Sequence, residues 1–246
     1  MATDAILALK DVVAGYGKMT ILHGTTCSVA RGAITTVIGP NGAGKSTMFK
    51  TLFGMLPARS GRVTFDGTDI TNRTPRDLLA RGVSYVPQGR NIFPELSVRH
   101  NLELGAVMAP AGFDLARRLD AAMDRFPVLR RKADAQASTL SGGEQKMLEI
   151  ARSLLLEPKL MLIDEPSIGL SPIMVNELFA ILREMRDRGT TVLLIEQNAK
   201  RALESSDYGI VLELGRTRIA DTAPAILADP RIGQLFLGGG LAEKVA

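Results

Sequence analysis

The stretch GPNGAGKST (Gly39–Thr47) sets glycines, a lysine and two adjacent hydroxyls between an apolar run, ITTVI, and a helix-forming segment, STMFKTLFGM. Its spacing is G-x-x-x-x-G-K-S/T, in the strand–loop–helix context that a phosphate-binding loop requires. Gly39, Gly42 and Gly44 let the backbone turn its N–H groups inward on an anion, with Pro40, Asn41 and Ala43 between them. The following helix start adds a partial positive charge. Lys45 is then suited to neutralise β- and γ-phosphates, and the hydroxyl of Ser46, with Thr47 behind it, to ligate Mg²⁺. Average residue usage gives a chance match in about 1% of chains this long, so the loop reads as a nucleoside triphosphate site.

Two further stretches extend that chemistry. LMLIDEP ends an apolar run abruptly in Asp164 and Glu165. Parallel strands bring their carboxyl ends to one edge, so Asp164 is placed to hold Mg²⁺, and Glu165 to polarise a water for attack on the γ-phosphate. LSGGEQK opens a helix in which Ser141 and Glu144 have capping-box spacing. A cap alone does not account for Gly142 and Gly143 in the first turn, where each costs about 1 kcal/mol against alanine. Two bare glycines at a positive helix end suit a phosphate, yet the chain already has one phosphate cradle. A second is useful if it closes over the nucleotide of another subunit, which implies a face-to-face dimer.

The elements that must position these residues follow from hydrophobic pattern. Strand-like runs occur at Ile6–Val13, Ile34–Ile38, Arg62–Phe65, Val83–Val86, Leu160–Ile163, Val192–Ile195 and Ile210–Leu214. Several are short, apolar and rich in Val and Ile, as strands buried on both faces are. Helical patterns alternate with them. One is Ser171–Arg188, with Ser171 as N-cap, Pro172 in the first turn and Gly189 past the end. The alternation predicts an α/β domain with a mainly parallel sheet. Between Gln88 and Pro158 strand signals vanish, and SVRHNLELGAVM, FDLARRLDAAMDRFPVLR and EQKMLEIARSLLLE read as helices, the second broken by Pro127. The expected organisation is one domain over 1–246. Its core comprises 1–87 and 158–221, a helical subdomain 88–157, and a tail 222–246 that is helical near Pro224–Ala228 and loosens through Gly238–Gly240.

Bulk properties narrow the class. The chain has 246 residues, 46% of them apolar, with 30 basic and 26 acidic residues interspersed. That mild basicity suits anionic ligands and gives no support to a nucleic-acid partner. A single cysteine, Cys27, excludes an internal disulfide and reads as a small strand residue. His23 and His100 form no metal-ligand pattern. No signal peptide or bilayer-length apolar segment is visible, so the expectation is a soluble protein that reaches a membrane only through a partner.

Taken in order, GPNGAGKST, Gln88 at the end of VSYVPQ, LSGGEQ, LMLIDEP and SIGL resemble the ATP-binding cassette family over essentially the whole chain. The resemblance implies a P-loop fold with a mainly parallel core sheet, an N-terminal antiparallel β subdomain and an inserted helical subdomain. It also implies that ATP binding closes a head-to-tail dimer, in which Ser141–Glu144 of one subunit complete the ATP site of the other, and that hydrolysis reopens it. Tyr16, in AGYG, matches the aromatic that stacks on adenine, the alternative being a half-buried strand tyrosine. Gln88 matches the glutamine that reaches Mg²⁺ and the attacking water. Ser167–Ser171 matches the loop that crosses the dimer interface.

GRNIFPELSVRHNLELGA and the ending ILADPRIGQLFLGG are similar to the smaller ATPase subunit of bacterial branched-chain amino acid importers. Such a subunit pairs with a related, nonidentical ATPase beneath two permeases fed by a periplasmic binding protein, at the cytoplasmic face of the inner membrane. Amide and urea importers use similar subunits. A soluble ATPase of the same fold would be expected to carry a second cassette or long insertions, which are missing here. Two departures stand out. Glu144 replaces a common glutamine, with its capping role intact. Gln197, in IEQN, stands where the family's histidine is common, with Asn198 at the aspartate position. A glutamine there is expected to donate to a γ-phosphate oxygen without histidine's charge. Loss of the histidine would suit a subunit that binds ATP without hydrolysing it, whereas retention of Glu165 argues for an active one.

Overall fold

The computed structural model describes residues 4–232. The first part of the chain runs β1 (Ala5–Ala14), β2 (Leu22–Ala30), β3 (Ile34–Ile38), α1 (Lys45–Leu52), β4 (Ala58–Phe65), β5 (Thr68–Asp69), α2 (Pro75–Ala80) and β6 (Val83–Val86). Helices follow: α3 (Val98–Glu103), α4 (Leu115–Arg125), α5 (Pro127–Arg131) and α6 (Gly142–Leu154). Alternation then resumes with β7 (Leu160–Asp164), α7 (Pro172–Asp187), β8 (Thr191–Ile195), α8 (Ala199–Glu204), β9 (Tyr208–Glu213), β10 (Arg216–Thr222) and α9 (Ala223–Ala228).

These strands form two sheets. One has the order β10-β9-β3-β8-β7-β6, parallel from β9 to β6 with β10 antiparallel at its edge. The other is antiparallel, in the order β2-β1-β4-β5. Every residue of β3, β7 and β8 is buried, because both faces of the parallel sheet are covered. Alternate side chains divide between the faces. Met161, Ile163, Val192 and Leu194 join a cluster with residues of α3, α4, α6 and α7. Leu160, Leu162, Leu193 and Ile195 join α1 and the antiparallel sheet instead.

Helix ends follow their sequence signals. Ser171 accepts from Met174 N, and Gly189 takes φ 95° just past α7, where Thr190 N returns to Met185 O. Pro127 separates α4 from α5. The helix expected over 97–108 is shorter: α3 ends at Glu103 and tightens into a 3₁₀ turn at Leu104–Ala106. β5 and β10 lie outside the strand-like runs of the sequence, and β2 was anticipated only through Cys27 as a strand residue. In β2 and β10 exposed residues recur along the strand, and β5 has only two residues. Cys27 lies buried in β2, and burial pushes its thiol up to about 12, which removes it as a nucleophile near neutral pH. The stretch Gly238–Gly240 lies outside the described residues.

Candidate active site

The register of the parallel strands brings their carboxyl ends to one edge. Val86 of β6 pairs with Ile163, Asp164 of β7 with Ile195, and Val37 of β3 with Ile195. Gln88, Asp164, Glu165, Gln197 and the loop after Ile38 therefore converge there from four strands.

The loop fits where the sequence puts it. A Cβ at Gly39 would lie 2.0 Å from the carbonyl oxygen of Leu212, so glycine is required by close approach to β9. Gly215 N donates to Ala43 O at 2.9 Å and anchors the loop from the other side. Lys45 is buried, and its ammonium donates to Gly39 O at 2.8 Å and Pro40 O at 3.0 Å. Burial lowers its pKa, against the pull of Glu165 and Asp164. A phosphate would replace carbonyl partners with a full opposite charge.

Asp164 is 2% exposed. Its Oδ2 accepts from the Tyr85 hydroxyl at 3.4 Å, whereas Oδ1 is buried without a hydrogen-bond partner among the described residues. Burial raises the pKa of this carboxyl, which the Ser46 hydroxyl beside it partly offsets. An under-satisfied buried carboxylate next to a hydroxyl is a hard-oxygen donor set that fits Mg²⁺. Among the described residues no group of three or more His, Cys, Asp or Glu could enclose a metal.

Glu165 is the meeting point. It has φ 48°, an uncommon conformation for a residue with a side chain, and is 7% exposed. Its Oε2 accepts from Gln88 Nε2 at 2.7 Å and from Gln197 Nε2 at 3.2 Å. Gln197 thus bonds the Glu165 carboxylate. Asn198 caps α8 by accepting from Arg201 N, so the aspartate-like position is structural here.

Ser141 and Glu144 form the expected capping box at the start of α6, and Lys132 adds bonds of 2.7 and 2.9 Å to Glu144. The two glycines differ. A Cβ at Gly142 would meet open space, whereas one at Gly143 would lie 2.5 Å from Met174 Cε. Gly143 therefore packs against the flexible Met174 side chain of α7, whereas Gly142 faces open space. No hydrogen bond or ion pair among the described residues joins Ser141–Glu144 to Lys45, Asp164 or Glu165.

Tyr16 lies in a turn after β1, 46% exposed, with the Lys50 ammonium 5.8 Å from its ring centroid. The strand alternative does not hold, and the ring is open to a stacking partner. Sequence reasoning missed what holds it. Arg59 of β4 donates to Gly17 O, Met19 O and Thr20 Oγ1, bracing the turn. It also missed Glu196, which is 2% exposed and accepts from the amide and hydroxyl of Ser167. The one available signal was an acid following a fully apolar strand.

A parallel sheet edged by a phosphate loop, an Asp-Glu strand end and a capped glycine pair defines a nucleotide-hydrolysing domain. A family profile described as "ABC transporter" matches residues 22–168, and this chain belongs to that family as the ATP-hydrolysing subunit of a transporter. It is 40% identical to the high-affinity branched-chain amino acid transport ATP-binding protein BraG of Pseudomonas aeruginosa, over 95% of this chain and 100% of that one. Identity to the probable branched-chain amino acid transport ATP-binding protein LivF of Archaeoglobus fulgidus is 38%, over 92% and 95%. The lipopolysaccharide export system ATP-binding protein LptB of Escherichia coli is 32% identical over 95% and 98%. Among solved structures, the ADP conformation of MJ1267, an ATP-binding cassette of an ABC transporter, superposes with a TM-score of 0.85 at 31% identity, over 96% of this chain and all of that one.

Proposed function

We propose that this chain drives a bacterial importer of branched-chain or other hydrophobic amino acids, as one of two nonidentical ATPase subunits. The observation that carries the substrate class is likeness along nearly the whole chain to BraG, stronger than that to the export protein LptB. In this reading the loop Gly39–Thr47 seats the ATP phosphates and Tyr16 stacks on adenine. Ser46 and Asp164 hold Mg²⁺ with Gln88 nearby, and Glu165 accepts a proton from the attacking water. Ser141–Glu144 face the nucleotide of the partner subunit. Residues 1–87 and 158–221 act as the nucleotide-binding core and 88–157 as the helical subdomain.

The permease partners dock on an apolar cleft of about 680 Å³ lined by Phe53, Leu79, Ile92, Phe93, Leu104 and Met108. Tyr85 and Asn91 of its lining lie three residues either side of Gln88, so in this reading a permease movement reaches Glu165 within a few residues. Among the described residues no helix is long and apolar enough to cross a membrane, which fits attachment at the cytoplasmic face through those permeases. A periplasmic binding protein delivers substrate from the other side.

The test is copurification with tagged permeases followed by reconstitution. ATP-dependent accumulation of labelled leucine in vesicles supports the reading. ATP hydrolysis stimulated only by an amide, urea or a lipid cargo would replace the substrate class.

A further inference from the structure

Three consecutive residues at the end of β8 contact the segment that carries Glu165. Ile195 O accepts from Glu165 N at 2.9 Å. Both carboxylate oxygens of Glu196 accept from Ser167, Oε1 from the amide at 3.0 Å and Oε2 from the hydroxyl at 2.7 Å. Gln197 Nε2 closes on Glu165 Oε2 at 3.2 Å.

The middle contact calls for an explanation. Glu196 is 2% exposed and forms no ion pair with any described residue, so its charge is compensated by hydrogen-bond donors alone. Burial pushes its carboxyl up, and the Ser167 hydroxyl and amide and the Gln197 amide pull it back. An apolar residue or a threonine would occupy a strand end at lower cost, so the acid is of use chiefly for what it holds. What it holds is two residues downstream of Glu165, whose φ of 48° is a conformation that surrounding contacts must enforce. Both oxygens are engaged, which leaves Glu196 no part as a second base.

We infer that Glu196 is a positioning residue for the hydrolytic step: by gripping Ser167 at two atoms it fixes the backbone at Glu165 and thereby aims that carboxylate at the attacking water. Gln197 fixes the same carboxylate at its tip, so β8 holds both ends of the Glu165 side chain. The inference rests on Glu165 as the base.

The test compares Ser167→Ala, Ser167→Thr and Glu196→Gln in the full chain assembled with its membrane subunits. Readouts are turnover at saturating ATP and affinity for a fluorescent ATP analogue. Ser167→Ala removes the hydroxyl bond to a charged acceptor and is expected to lower kcat about five- to tenfold. ATP affinity should stay within about twofold, and Ser167→Thr, which keeps both donors, within about twofold of wild type in kcat. Glu196→Gln keeps an acceptor for the Ser167 amide and lets the hydroxyl reverse from donor to acceptor, so it removes the charge alone and its kcat should fall no further than that of Ser167→Ala. If that variant does not fold, the Ser167 pair decides the question, since Ser167 is only partly buried. Wild-type kcat in Ser167→Ala would overturn the inference. So would a loss of ATP affinity matching the loss of rate, or failure of threonine to rescue. Turnover surviving in Glu165→Gln would instead remove the base on which the inference stands, a result the Ser167 variants cannot mimic.

Discussion

Gln88 and Gln197 donate to the same oxygen of Glu165, and removing each in turn tests whether both act through that carboxylate. The Gln88 bond is 2.7 Å long and the Gln197 bond 3.2 Å, and the Gln197 side chain is exposed to solvent. A hydrogen bond to a charged group contributes about 1.5–3 kcal/mol, and the short Gln88 bond belongs in that range. Converted to turnover, Gln88→Ala should lose about 10- to 150-fold. The longer, solvated Gln197 bond is worth about 0.5–1 kcal/mol, so Gln197→Ala should lose about two- to fivefold. Because one oxygen takes both donors, either amide partly covers for the other, and the double variant should lose more than the product of the singles. Single-turnover hydrolysis at saturating ATP measures the rate, and equilibrium titration with an ATP analogue measures affinity, which should not change. A larger loss in Gln197→Ala than in Gln88→Ala, accompanied by weaker ATP binding, would refute this reasoning and put Gln197 on the γ-phosphate.

Other perturbations probe the rest of the site. Glu165→Gln should abolish turnover while leaving ATP bound and the dimer trapped closed, as gel filtration with ATP would reveal; retained hydrolysis would exclude Glu165 as the base. Lys45→Ala removes a buried ammonium facing the phosphates and should weaken ATP binding by about tenfold or more, so unchanged affinity would count against the loop assignment. Glu144 is pushed up by burial, but Lys132 and Ser141 outweigh that and hold its carboxyl below the usual 4.5. A depressed folded value contributes stability above the unfolded value and loses it as pH falls through the folded one. Lys132→Ala should therefore cost about 0.5 kcal/mol at pH 7, discounted for exposure, and the gap in thermal stability from wild type should close as pH falls below 4.5.

What the sequence made legible follows from burial on both faces. ITTVI, LMLID and TVLLI are continuous apolar runs because each strand is covered above and below, so their ends, where the chemistry sits, could be located within a residue. LHGTTCSVA and RTRIADT show no such run, since part of each strand faces solvent, and neither stands out as a strand by its pattern. Gln88, Glu165 and Gln197 came together where strand ends align, whereas Ser141–Glu144 did not join them. What spacing could not show was direction. Spacing alone gives neither the bond of Gln197 to Glu165 nor the contact of Gly143 with Met174, which come from packing. Glu196 was invisible for the same reason, because a buried acid and an exposed one are written alike.

The capped start of α6 and the Gln88 loop are also tied together by side chains that no motif includes. Lys146 donates to Gly89 O at 3.0 Å, Glu149 accepts from Asn91 N, and Arg152 donates to Asn91 O. Lys146 and Glu149 are themselves paired and almost fully buried, so these contacts lie in a low-dielectric setting where they resist exchange with water. Helix α6 therefore carries Ser141–Glu144 at one end and grips the residues after Gln88 along its flank. A displacement of that helix would act on Gly89 and Asn91, which its side chains hold, and through them on the adjacent Gln88. Since Gln88 donates the shorter of the two bonds on Glu165, such a movement would act on the shorter bond and leave the β8 side of the site in place. If Glu165 is the base, as proposed, Lys146, Glu149 and Arg152 would link the position of α6 to that carboxylate.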